Sequence, residues 1–185
     1  MQMKRIANLL FEVRILKDIT RSGYSFLGSG KESIAEHSFM TAFICFAMAR
    51  LDHTIDCEKI VTMALVHDIA EARTGDFNYV EKKYSKIDEA KAISHLIKSL
   101  TFGSDIQTLL DEFNSGKTVE AKLARDADQI SFILELKKMD DTGVKGPEKW
   151  LPYVLNRLKT DTGKQIAQSI MKTDWDEWWV NDYSE

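Results

Sequence analysis

At 185 residues the chain is long enough for one domain with a substantial core, and its 44% hydrophobic and 29% charged residues suit a folded protein in water. A net charge of -4 excludes a broad basic field for a nucleic-acid polymer; a small phosphorylated ligand needs only one or two local cations. Two cysteines, Cys45 and Cys57, exclude a disulfide framework or a zinc knuckle and read as small hydrophobes on helices.

Met1 to Arg5 leads into an amphipathic stretch rather than a signal peptide's apolar block. No segment approaches the roughly 18 consecutive apolar residues of a membrane span. A cytoplasmic protein without a membrane partner is therefore expected.

Helical periodicity runs along almost the whole chain. Ile6, Leu9, Leu10, Val13, Leu16 and Ile19 recur at three- and four-residue steps and predict a first helix. A glycine-containing loop, Arg21 to Lys31, follows. Ser33 and Glu36 stand at capping-box spacing, so the next helix begins at Ile34 and runs to Leu51, apolar nearly all round from Ala42 to Ala49. Asp56 caps a third helix, continuously apolar from Ile60 to Val66, expected to end near Glu71-Ala72-Arg73 with Gly75 as terminator.

The second half has the same texture. Tyr84 to Leu100 reads as a helix with Ile87, Ala90, Ile93, Leu96, Ile97 and Leu100 on one face. Ser104 and Gln107 suit the cap of a short helix ending near Asn114-Ser115-Gly116, and Thr118 to Met139 is a long helix striped by Leu123, Ala127, Ile130 and Leu134. Gly143 to Pro147 breaks the rhythm, and Pro147 suits the first turn of another helix. Trp150 to Leu158 and Lys164 to Val180 are the last candidates. Trp175, Trp178 and Trp179 read as core or dimer contact. With no linker and little period-two alternation, the expectation is one all-α domain over 1–185, a bundle of about seven to eight helices. Its motif-bearing core covers about 5–140, with helices in 147–180 packing on it.

His67-Asp68 closes an otherwise apolar run, Ala64 to Glu71. An imidazole and a carboxylate are costly to bury there unless something pairs with them, and a divalent metal is an economical partner. His37 upstream and Asp128 downstream, each on its own predicted helix, complete a two-His, two-Asp set that suits Mn, Co, Ni, Fe, Zn or Mg. Each residue alone has an ordinary explanation: a helix-end pair, a first-turn histidine, an aspartate paired with Arg125. Four in this order are harder to dismiss. Glu71 could share a helix face with His67 and Asp68. His53 and His95 read as structural or solvent-facing, and Gly28-Ser29-Gly30 lacks the lysine of a nucleotide P-loop.

The pattern His37, His67-Asp68, Asp128 resembles the HD-domain superfamily of metal-dependent phosphohydrolases. Its context resembles the 5'-deoxynucleotidase branch, the YfbR-like and HD-domain-containing-protein-2-like enzymes. The matching words are Arg21-Ser22-Gly23-Tyr24, Glu32 to Ser38, Ala64 to Asp76 and Ala127-Asp128-Gln129. The resemblance implies that His37, His67, Asp68 and Asp128 ligate one divalent metal, and that Glu71 accepts a proton from the attacking water or organises it. It implies an acid near the sugar or a second metal at Asp76, and a phosphate-binding guanidinium at Arg21. The family commonly carries Trp where this chain has Tyr24, an aromatic wall against a ribose 2'-hydroxyl.

The implied activity is hydrolysis of (deoxy)nucleoside 5'-monophosphates to nucleoside and phosphate by a homodimer. A nucleoside triphosphohydrolase and a non-catalytic metal- or nucleotide-binding module are the alternatives. No Gly-Tyr-Pro word supports a cyclic-dinucleotide phosphodiesterase, and Ala72 stands where a stringent-nucleotide hydrolase would carry Asp after Glu71.

Overall fold

The computed structural model describes residues 2–180; residue 1 and residues 181–185 of the expected domain lie outside the described residues. The helices are α1 (Gln2–Arg14), α2 (Tyr24–Leu27), α3 (Ile34–Leu51), α4 (Cys57–Val66), α5 (Glu71–Thr74), α6 (Glu81–Tyr84), α7 (Glu89–Ile97), α8 (Gly103–Ser115), α9 (Val119–Asp141), α10 (Pro147–Leu155), α11 (Asp161–Lys172) and α12 (Glu177–Val180). Four of these are single turns, which leaves eight longer helices among the described residues. The protein is all-α, and the one β-type contact in this range is an antiparallel bridge between Thr20 and Ser33.

Caps fix where the site-bearing helices begin. Ser33 and Glu36 form the full capping box of α3: the Ser33 Oγ accepts from the Glu36 N–H at 3.2 Å, and Glu36 accepts from the Ser33 N–H at 2.7 Å. Asp56 caps α4 and Thr118 caps α9, each accepting from the N–H three residues on. The buried residues of α3, α4 and α9, among them Cys45, Met48, Ile60, Met63, Ile130 and Ile133, build the main core, and α10 and α11 close it over α9. A second cluster joins Ile69 and Ala70 to Ile93, Leu96, Ile106 and Leu110 of α7 and α8. By length and mean hydropathy α3 could cross a bilayer, but half of it is buried in the bundle, as a central core helix would be.

Several expected boundaries move. α1 stops at Arg14 and continues as a 3-10 turn, Ile15–Lys17. α4 stops at Val66 instead of running to Arg73. The segment 67–70 is a tightened turn with i to i+3 bonds at Ile69 and Glu71, and His67 Nδ1 meets the Ala64 carbonyl at 2.6 Å, satisfying a terminal carbonyl of the helix. The predicted helix from Tyr84 is two pieces: α6 ends at Tyr84, and Asp88 opens α7 by accepting from the Lys91 N–H, leaving Ala90 exposed. Ser104 does not cap α8. The helix begins at Gly103, whose backbone sits so close to the Ile97 carbonyl that a Cβ would come within 2.7 Å of it.

The last predicted helix starts earlier, capped by Thr160, and breaks after Lys172, where the Trp175 N–H turns to the Asp141 carboxylate at 3.0 Å. The tryptophans are not core: Trp178 is 73% exposed, and Trp175 and Trp179 are about half as open.

Candidate metal centre

α3 presents His37 one residue past its capping box, fully buried. α9 presents Asp128 in its middle, and the turn after α4 presents His67 and Asp68. Ligand atoms of His37, His67 and Asp128 all lie within 4.8 Å of one another. His37 Nε2 is 3.0 Å from Asp128 Oδ1 and 3.8 Å from Asp68 Oδ2, and His67 Nε2 is 3.1 Å from the same Asp68 oxygen. The structure thus brings His37, His67 and Asp128 into one ligand group, with the fourth proposed ligand, Asp68, beside both histidines.

The donor set fits a divalent ion. His67 Nε2 is buried and makes no hydrogen bond despite its nearness to Asp68, an orphaned imidazole nitrogen of the kind an ion satisfies. The Nδ1 atoms of both rings are occupied from behind, by the Ala64 carbonyl for His67 and by Ser131 Oγ at 3.2 Å for His37. Such partners turn Nε2 toward a metal. His37 ring packing against His67, and His67 against Phe113, fixes both planes.

Charge points the same way. Burial lowers the pKa of His37 and favours the neutral ring that can ligate. Burial alone would also lower His67, but the charges of Asp68 and Asp128 override it and hold it at about 9. Burial opposes ionisation of Asp128 and Asp68, yet the histidines hold both carboxyls below the usual range. The carboxylates draw positive charge to this point, whether carried by a proton or by a metal ion.

Glu71 opens α5, so the turn, not one continuous helix, brings it beside the pair. Its Oε2 is buried without a hydrogen-bond partner, and burial with the charges of Asp68 and Asp76 raises its pKa to about 9. Arg21 Nη1 approaches Asp68 at 3.8 Å. Asp76 binds the arginine loop, accepting from the Ser22 N–H at 2.7 Å and from Ser22 Oγ at 3.1 Å. Arg21, Tyr24, Asp76 and Asp128 line a cavity of about 240 Å³ together with Phe132, Trp150 and Arg157. Tyr24 offers this cavity its ring; its hydroxyl turns away to Glu32.

Sequence reasoning missed Ser131, Gln129 as a partner of Asp128, and the cavity residues Trp150 of α10 and Arg157 just beyond it. Ser131 had a signal, since it stands three residues after Asp128 on the same face of α9. The Gln129 side chain donates to Asp128 at 2.8 Å and accepts from Arg157 at 3.3 Å, linking the centre to the C-terminal helices. Asp128 makes no pair with Arg125. His53 and His95 are exposed.

A helical bundle that gathers two imidazoles and two carboxylates at the junction of its central helices defines a class of all-α proteins built to hold a divalent ion. The HD domain family model matches residues 13–171, and the chain belongs to that family. The 5'-deoxynucleotidase HDDC2 of Dictyostelium discoideum is 32% identical over 134 residues, covering 65% of this chain and 70% of that protein. Its namesake in Xenopus laevis is 28% identical over 132 residues, 68% of this chain, and the chain spans 65% of that relative's length. Among solved structures, a conserved hypothetical protein from Pyrococcus furiosus superposes with a TM-score of 0.77 at 26% identity, over 90% of this chain and 99% of that one.

Proposed function

We propose that the protein is a metal-dependent phosphohydrolase that splits (deoxy)nucleoside 5'-monophosphates into nucleoside and inorganic phosphate. The observation that carries this reading is one cavity lined by both Arg21 and Asp128, the Asp128 carboxylate belonging to the His/Asp centre. An ion and a fixed cation on either side of one small space suit a phosphomonoester. Similarity to proteins named 5'-deoxynucleotidase supports the same substrate class.

His37, His67, Asp68 and Asp128 would hold the ion. When bound, a divalent ion acidifies water and offsets negative charge building on the phosphoryl oxygens. Arg21 orients the phosphate end-on through its terminal amino groups. Glu71, with its unpartnered oxygen beside the centre, holds its own proton in the metal-free protein and would take the proton of the attacking water once the ion's positive charge favours its carboxylate. Asp76 holds the arginine loop through Ser22, and the Tyr24 ring walls the sugar side.

One observation favours a second reading. A groove of about 610 Å³ runs from Asp128 past Lys122, Arg125, Arg157 and Lys159, cations suited to the additional phosphates of a nucleoside triphosphate. Phosphate release from 5'-dNMPs, NMPs and dNTPs, by metal-stripped protein resupplied with Mn, Co, Ni, Zn or Mg, separates the two. Metal-dependent release from dNMPs that is lost in Asp68→Ala supports the first reading, and activity on triphosphates alone supports the second.

A nucleotide substrate supports a cytoplasmic location. The apolar Phe39 and Phe43, 64% and 57% exposed on α3, support a homodimer, for which sizing by light scattering is the test.

A further inference from the structure

Glu32 has no part in the chemistry described above, yet it is only 5% exposed. A buried carboxylate is costly unless partners compensate it, so what it touches is informative. It touches the two residues on the substrate side of the site. Its Oε2 lies 3.5 Å from Arg21 Nε and accepts from the Tyr24 hydroxyl at 3.3 Å. The backbone repeats the link: the Arg21 N–H donates to the Glu32 carbonyl at 2.9 Å and the Ile34 N–H to the Ile19 carbonyl at 3.0 Å, on either side of the Thr20–Ser33 bridge.

The direction of these contacts matters. Asp68, Asp128 and Asp76 all attract the Arg21 guanidinium, and Nη1 already stands 3.8 Å from the Asp68 carboxylate. An arginine drawn fully onto Asp68 would be spent on that carboxylate instead of the phosphate. Glu32 pulls at Nε, a different nitrogen of the guanidinium from the Nη1 nearest Asp68, and so competes with Asp68 for the side chain. The same oxygen fixes the Tyr24 hydroxyl and with it the tilt of the ring.

Gly30 shows how closely that ring is seated. Its φ is +82°, and a Cβ there would come within 2.9 Å of the Tyr24 ring and collide with Met139.

We propose that Glu32 is a positioning residue that holds Arg21 off the metal ligands, ready for the substrate phosphate, and sets Tyr24 against the sugar. This rests on the phosphomonoesterase reading. Its loss should act on substrate binding and sugar selectivity more than on turnover.

The test compares wild type, Glu32→Ala and Glu32→Gln for kcat and KM on a 5'-dNMP and the matching NMP, with metal content and Tm measured on the same samples. Glu32→Ala is expected to raise KM about 10-fold, the size of one charge-assisted hydrogen bond, with kcat changed less. The preference between deoxy- and ribonucleotide should narrow at unchanged metal content. Glu32→Gln keeps an acceptor for the Tyr24 hydroxyl but not the charge facing Arg21, so it should recover the sugar preference and only part of KM. If Glu32→Ala does not fold, Glu32→Asp, one methylene short of both partners, gives the same reading.

A purely structural Glu32 would lower Tm and the active fraction while leaving KM and selectivity at wild-type values, and that result overturns the proposal. Wild type that releases no phosphate from any monophosphate overturns the functional reading itself, and this proposal with it.

Discussion

His37 and Asp128 sit on α3 and α9, helices of 18 and 23 residues locked into the main core, whereas Arg21 and Asp76 sit on loops and Tyr24 on a single-turn helix. The metal side is held by helix caps and apolar packing. The substrate side is held by polar stitches: Ser22 to Asp76, and Glu32 to Arg21 and Tyr24. Rigid elements give a metal the geometry it requires, and loops with a few strong polar anchors can adapt to a ligand. Damage to the first side should appear in metal affinity, and damage to the second in KM and selectivity.

The largest effect belongs to the ligands. Asp68→Ala should release the ion and reduce turnover by more than about 100-fold, since even residues behind metal ligands cost 10- to 100-fold when removed. Metal analysis of the purified variant checks it. Glu71→Gln, isosteric and unable to take a proton, should retain the metal and lose roughly 10²- to 10⁴-fold in kcat; full activity would remove Glu71 from the mechanism. Ser131→Ala, which frees His37 Nδ1, is expected to weaken metal binding about 10-fold at unchanged KM. If KM moves instead, the division between the two sides fails.

A smaller effect is a slope with pH. Burial and the neighbouring carboxylates raise Glu71 from 4.5 to about 9 in the metal-free protein. The folded chain therefore keeps a proton that the unfolded chain releases. That contribution is complete below pH 4.5 and is lost as pH rises through about 9. His67, raised from 6.5 to about 9, acts in the same direction over the upper part of that range. Tm of the metal-free protein should fall between pH 5 and 9, and less steeply in Glu71→Gln.

The metal side was legible in the sequence because its signals are local. Ser33 and Glu36 announce the start of α3, and His67-Asp68 stands out at the end of an apolar run. Periodicity places Asp128 on the long helix. The substrate side was only partly legible. Arg21 and Tyr24 came from a resemblance, and nothing local marks Glu32 as their anchor, because the contact depends on the loop folding back beside Ser33.

The cavity wall from Trp150 and Arg157 depends on how α10 packs over α9, a tertiary fact that periodicity does not carry. The break at Val66 was missed for a related reason. The pattern of apolar residues continues through it, and the tightening comes from His67 bonding back to Ala64.

The most direct test of the account is a titration of metal-stripped protein with Mn, following bound metal and phosphate released from a 5'-dNMP in the same sample. The account predicts that both rise together, saturate as the His37/His67/Asp68/Asp128 centre fills, and are lost together in Asp68→Ala. Phosphate release that persists without metal, or metal that binds equally well in Asp68→Ala, would contradict it.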